Sequence, residues 1–400
     1  MSGPLTGFRI IDLSAMISGP MATMMLGDQG AEVIKIENPN GGDYVRKGAN
    51  RQGGFSAGFL NNNRNKKSVA INLKHDEGKA VLRELIPGSD VFVQNFRPGV
   101  ADRMGFGEQA VREIQPDIIY VSIAGFGFEG PFAPRPVYDP LIQAMSGLTT
   151  VQAGSDEERP RLVRTIVPDK TTAITASQAI TAALLARERN GEGQHVKLSM
   201  LASVVSFLWG SDMGSQTFAG NELPQQSAAS FRDLVYETKS GFVSVAVMSD
   251  KEWYGLTQAL DKPQWLTDER FKTPALRDKH INERLALIQE ALLARPADEW
   301  ITLLEEHDVP CAKVLTRNEM INHPQVAAND VITEYEHPHA GRLRQSQPAA
   351  KFSATPSSIR HGAPALGEHT VEEVSKLKFS KIEIDRMVAD GVLGIADEYQ

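Results

Sequence analysis

What most constrains the fold is an alternation that fills the first half of the chain: short apolar runs separated by stretches of helical composition. Residues 8–13, 31–36, 68–73, 91–93 and 118–123 read as strands. Residues 19–28 and 77–86 read as helices, the first with Pro20 in its opening turn and Gly27 and Gly30 at its end. This is the pattern of a parallel sheet covered by helices on both faces, so the expected architecture is α/β, with a large doubly wound, Rossmann-like domain over residues 1–210. The pattern changes near Gly220. Residues 222–227 form a polar connector, 241–247 a new strand, and 283–293 and 297–307 helices, which predicts a smaller α+β domain over 225–325. Strand and turn character returns at 341–352, and a helix near 381–390 precedes the end of the chain.

Several function classes fall away. The first strand–helix turn, residues 13–20, lacks G-x-G-x-x-G, so a nicotinamide or flavin dehydrogenase is disfavoured. A net charge of -8 argues against non-specific nucleic-acid binding. A basic cluster including Arg46, Lys47, Arg51, Arg64, Lys66 and Lys67 reads either as a site for a small polyanion or as a solvated loop. No apolar run approaches the ~18 residues of a membrane helix. The single cysteine, Cys311, excludes an intramolecular disulfide and a cysteine-rich zinc site, which points to a reducing, cytoplasmic compartment and no metal.

In an open α/β sheet, ligands bind beyond the carboxyl ends of the strands, here residues 14–19, 94–99 and the glycine-rich loop 125–131. Asp169 stands alone ahead of a long alanine-rich helical run, 171–190, so it lies at or just before a helix N-terminus. A carboxylate there can cap the helix, a role worth ~1 kcal/mol. It can also attack a carbonyl, since a helix N-terminus favours its ionised form and offers N–H groups to an oxyanion. Attack on a thioester gives a mixed anhydride that keeps the acyl group activated. Gly125 and Gly127 would let backbone approach the carbonyl closely, or simply form a turn.

The segments 5–14, 30–37, Gly42–Asp43, 63–68, 94–99, 125–127, Tyr138–Asp139, Gly193–Gln194, 309–311, 323–326, 352–356 and 366–370 together resemble, collinearly to the C-terminus, the class III CoA-transferases of the formyl-CoA transferase, carnitine CoA-transferase and α-methylacyl-CoA racemase superfamily. The resemblance implies that Asp169 is an aspartyl nucleophile, that Gly125, Phe126, Gly127 and Tyr138 lie near the reacting carbonyl, and that no cofactor is tightly bound. It implies a coenzyme A site lined by Ile17, Ser18, Asn72, Leu73, Lys74, Asn95, Phe96, Arg97, Arg103, Met104, Val137 and Tyr138. Lys74, Arg97 and Arg103 would bond phosphates, with Phe96 and Met104 against adenine. It further implies that residues 335–400 return to the large domain and close each subunit into a ring interlocked with its partner in a homodimer.

Two departures count against formyl-CoA and oxalate as substrates: Asn38 stands where formyl-CoA transferase has a basic residue, and a tetraglycine loop is missing between Ser227 and Gly241. Succinyl-CoA with a small dicarboxylate is the default pair. The rival chemistry is racemisation of a 2-methylacyl-CoA. There the family carries a His–Asp pair, and this chain has Tyr138–Asp139, a weaker base near neutrality with an unperturbed pKa of about 10 against about 6.5. A non-catalytic CoA-binding protein is the third reading.

Overall fold

A computed structural model describes residues 3–222 and 234–396. Of the expected polar connector only Glu222 falls within the described residues, and part of the stretch lacking the glycine loop also lies outside them. The chain divides into two compact units, one of residues 1–230 and 330–400, the other of residues 231–329.

The larger unit is built on a seven-stranded sheet: β1 (Arg9–Asp12), β2 (Glu32–Glu37), β3 (Lys66–Ile71), β4 (Val91–Gln94), β5 (Ile119–Ala124), β6 (His195–Ser199) and β7 (Leu393–Gly394). Their spatial order is β7-β3-β2-β1-β4-β5-β6. The first six run parallel, and β7 pairs antiparallel with β3. The helices that matter for the site are α1 (Ser18–Asp28), α2 (Asp139–Met145), α3 (Val167–Asn190) and α4 (Met200–Trp209).

The period of two along each strand divides the core into two layers. Ile10, Val33, Val91, Ile119 and Val121 face α1 and α3, meeting Ala22, Leu26, Ala173, Ala176 and Ile180. Ile11, Ile34, Val69, Phe92 and Tyr120 face the opposite way, onto Val81, Leu82 and Leu85 of helix Asp76–Leu85 and onto Ile384 and Met387 of helix Lys381–Ala389. The sheet is thus mixed α/β and parallel-dominated, with helices on both faces.

The smaller unit pairs Val235–Glu237, Phe242–Val245 and Cys311–Lys313 in an antiparallel sheet. Helices Asp250–Ala259, Ile281–Leu292 and Ala297–Glu306 pack around Trp253, Trp265, Phe271 and Trp300.

Much of the charge in the basic cluster of residues 46–67 is paired inside the fold. Arg46 is paired with Glu37 at 2.7 Å, Arg64 with Asp28 at 2.7 Å, Lys66 with Asp12 at 3.0 Å, and Lys67 with Glu32, Glu372 and Glu373. Arg51 donates to the carbonyls of Arg46 and Gly54. Four of the six named members are thus neutralised by carboxylates within the fold, while Lys47 and Arg51 stay exposed.

Candidate active site

α3 opens at Val167, about one turn earlier than the expected start at residue 171. Its N-cap is Ile166, and Pro168 occupies the first turn, where its missing N–H costs nothing. Asp169 therefore sits inside the first turn and is not the N-cap, a place taken by Ile166, which offers no side-chain hydrogen bond.

The backbone N–H of Asp169 donates to Asp139 Oδ2 at 3.2 Å, and Asp139, at the start of α2, is buried. Gln143, one turn along α2, donates from Nε2 to Asp139 Oδ1 at 2.6 Å and accepts the Val163 N–H on its own Oε1 at 2.9 Å. The segment leading into α3 is in this way strapped to α2, and two carboxylates are brought side by side. Burial and the charge of Asp139 push the Asp169 carboxyl up to about 6, against the opposing pull of the Ser18 hydroxyl and backbone N–H. At neutral pH such a group is mostly ionised, yet more basic than an ordinary carboxylate, which suits it to attack on a carbonyl.

Phe126 and Val137 pack with Val167 around Ile142 and Leu208, forming the apolar wall beside this pair. The two glycines of the loop differ. A Cβ on Gly125 would meet Val137 Cγ1 at 2.1 Å, and its carbonyl accepts the Leu201 N–H at 3.1 Å, so its missing side chain is already filled. Gly127 has φ 113°, and a Cβ added there would meet nothing within 4 Å, leaving that side open to an incoming group. Tyr138 is at the N-cap of α2 and 68% exposed.

The expected coenzyme A residues divide into two groups. Leu73 and Phe96 line a cleft of 140 Å³ above the carboxyl ends of β1, β2 and β3, together with Leu13, Ala15, Lys35 and Asn38. Met104, on helix Val100–Met104, packs on the same core as both. Lys74, Arg97 and Arg103 are exposed, and among the described residues none forms an ion pair. Asn72 turns its side chain to the Lys74 N–H. The other group, Ile17, Ser18 and Val137, belongs with Asp169, Ile17 being the N-cap of α1. Asn95 directs its amide to neither, bonding both the N–H and the carbonyl of Ala15.

The family model for CoA-transferase family III matches residues 5–370. The chain belongs to CoA-transferase family III. Among relatives of this family III CoA-transferase, human succinyl-CoA:glutarate CoA-transferase is 33% identical over 398 residues, covering 98% of this chain and 90% of the relative. Formyl-CoA:oxalate CoA-transferase of Shigella sonnei is 31% identical over 412 residues, covering 97% and 99%. Among solved structures, a CAIB/BAIF family protein from Brucella suis aligns with a TM-score of 0.83 at 27% identity over 94% of this chain and all of its own, and Rv3272 of Mycobacterium tuberculosis with 0.81 at 28% over 93% and 99%.

Sequence reasoning missed part of this enzyme's site. Gln143 carried no signal beyond its helical spacing from Asp139. Lys35, Asp43 and Lys66 lay in segments that carried the resemblance, and Lys66 in the basic cluster, but nothing in the sequence showed that Lys35 and Lys66 are buried and that both interact with Asp12. Burial opposes the charge on Asp12, but Lys66, Lys35 and the Ser14 and Thr23 hydroxyls outweigh it and hold the carboxyl at about 2.

Proposed function

We propose that this family III CoA-transferase carries coenzyme A from an acyl-CoA to a free carboxylic acid by covalent catalysis on Asp169. The Asp169 carboxylate attacks the thioester carbonyl, the carbon–sulfur bond breaks, and CoA leaves as a thiolate, giving an acyl-aspartyl anhydride. The thiolate then attacks the Asp169 carbonyl, releasing the first acid as its carboxylate and leaving an aspartyl-CoA thioester. The incoming carboxylate repeats both steps in reverse, so the thioester energy is conserved and no net proton is consumed. The observation that carries this reading is the half-buried, unusually basic Asp169 at the start of α3, beside Asp139 and the Ser18 donors.

Gly127, with Phe126, Tyr138 and Gly125 in the same loop region, borders the reacting carbonyl. The exposed cations Lys74, Arg97 and Arg103 meet the CoA phosphates, and Phe96, Leu73 and Met104 take its apolar parts, with Ile17, Ser18, Asn72 and Val137 completing the site. The donor is succinyl-CoA and the acceptor a small dicarboxylate, as the activity for which the human relative is named and the presence of Asn38 in the cleft favour. No tightly bound cofactor is required. Tyr138 in place of histidine disfavours racemisation, and Asp169 disfavours a purely binding role. The subunits are ring-shaped and interlock as a homodimer, a reading supported by the exposed apolar side chains of α2, α3 and α4: Leu141, Met145, Ile174, Leu185, Phe207 and Trp209. The single cysteine favours a reducing, cytoplasmic setting.

The test is chemical trapping. Hydroxylamine added during turnover should modify Asp169, detected by peptide mass spectrometry, and Asp169→Ala should abolish transfer in a folded protein. An unmodified Asp169 under turnover, or a variant with normal rate, rules the covalent route out.

A further inference from the structure

The turn that joins β1 to α1 lies between the cleft and Asp169: Ser14 and Ala15 line the cleft, and Ser18 lies against the Asp169 carboxylate. Its conformation is unusual. Met16 has φ 70°, in the left-handed region that a methionine avoids at a cost of roughly 1 kcal/mol, and such residues persist only where their surroundings over-determine them.

Here the surroundings do so. Five consecutive backbone polar groups, from the Ser14 N–H to the Met16 N–H, are each held by a side chain. Asp12 Oδ1 accepts the Ser14 N–H at 2.9 Å, and Lys35 Nζ donates to the Ser14 carbonyl at 2.7 Å. Asn95 accepts the Ala15 N–H on Oδ1 at 2.9 Å and returns Nδ2 to the Ala15 carbonyl at 2.7 Å. Asp43 Oδ1 accepts the Met16 N–H at 3.1 Å, while its Oδ2 lies 3.0 Å from Lys35 Nζ. The holders come from β1, from β2, from the end of β4 and from the loop after β2. The turn is so tight that a Cβ on Gly19 would meet the Ser14 side chain at 2.3 Å.

We propose that Asn95, working with the buried Lys35–Asp43 pair, is a positioning residue that locks the 14–18 turn so that Ser18 presents its donors to Asp169, rather than a ligand of coenzyme A. The proposal rests on the acyl-aspartate reading for its catalytic consequence. Its structural consequence is separable. Asp169 is faced by the Asp139 carboxylate from α2 and by the Ser18 hydroxyl and N–H from α1. Loosening the turn withdraws the Ser18 donors and leaves burial and Asp139 unopposed, so the Asp169 carboxyl must become still harder to ionise.

The experiment compares the full chain with Asn95→Ala, Met16→Gly and the double variant. Coenzyme A affinity is measured calorimetrically, turnover by steady-state kinetics with the wild type's best donor and acceptor, and the Asp169 titration by carbon-13 carboxyl resonance without substrate. Asn95→Ala should leave CoA affinity within about twofold, lower kcat by about tenfold, the size expected for losing one or two hydrogen bonds, and move the Asp169 titration to higher pH. Adding Met16→Gly should restore most of kcat, because glycine takes the left-handed conformation without strain and no longer needs the Asn95 clasp. Asn95→Ser, which keeps one hydroxyl, should fall between, and it replaces Asn95→Ala if that variant does not fold. A fall in CoA affinity with kcat retained makes Asn95 a ligand and overturns the proposal. So does a fall in kcat with an unmoved Asp169 titration and no rescue by glycine. A titration that moves in a protein whose Asp169 cannot be trapped would instead reject the acyl-aspartate chemistry and keep the positioning role.

Discussion

Asp169 is held in a form that the fold itself disfavours. Burial and Asp139 raise its pKa from 3.8 to about 6, so the folded chain binds this proton more tightly than the unfolded chain does. The resulting stabilisation is fully present below the unfolded value and is lost as pH rises through about 6. At higher pH the ionised group costs the folded state ~1–3 kcal/mol, given its partial contact with solvent. Asp169→Asn should accordingly raise the thermal midpoint at pH 8 and change it little at pH 4. A lowered midpoint at pH 8 would make Asp169 a structural group. Arg103 belongs to the same scale: Arg103→Ala should raise KM for the acyl-CoA by about tenfold or more, from the ~1.5–3 kcal/mol of a hydrogen bond to a charged group, with kcat retained. Unchanged KM in steady-state kinetics would move the phosphate site elsewhere. Asp169 stood out in the sequence as a lone carboxylate before a long alanine-rich run, but that local pattern left capping and attack both open, and only the family resemblance pointed to a nucleophile. Its partners were not legible, since Asp139 reaches it across the turn into α3 and Lys35, Asp43 and Lys66 meet Asp12 and Ser14 only after three strands have aligned.

At the scale of elements, the strands of the parallel sheet were readable wherever both faces are buried. β3 begins at Lys66 rather than near Ser68, because Lys66 and Lys67 are strand residues whose charges are satisfied by Asp12 and by Glu32 and Glu373. β6 escaped notice for a related reason: it is an edge strand, half-buried along most of its length, and carries His195 and Lys197. His195 Nε2 lies 2.9 Å from Ser122 Oγ, so this polar residue too is spent inside the sheet. The loop after β5 makes a sharper prediction. Gly125→Ala should displace Val137 and with it the entry to α2 that carries Asp139, lowering kcat severalfold. Val137→Ala in the same chain makes room for the added methyl group and should recover part of the loss. A double variant no better than Gly125→Ala would mean that the glycine serves the substrate rather than Val137.

For the whole molecule, the interlocked reading carries a kinetic signature. Chains threaded through one another cannot part without partial unfolding, so mixed labelled dimers should exchange subunits slowly, and the thermal transition should coincide with dissociation. Light scattering at low concentration is the check, and a folded, active monomer there would defeat the model. The fold class was legible from alternation alone, whereas the two-residue strand that completes the sheet was not, being too short to register as a pattern. That strand has a consequence for biosynthesis. Leu393 and Gly394 pair with Ile71 and Ala70, which leave the ribosome about 320 residues earlier. At the ~5–20 residues per second of translation, the open edge of β3 waits roughly 15 to 60 s for its cover. During that interval the nascent chain presents an unpaired parallel-sheet edge to its neighbours, so a ribosome stalled shortly before codon 393 would release a product prone to strand-mediated association, while a chain that carries Leu393 and Gly394 seals the edge.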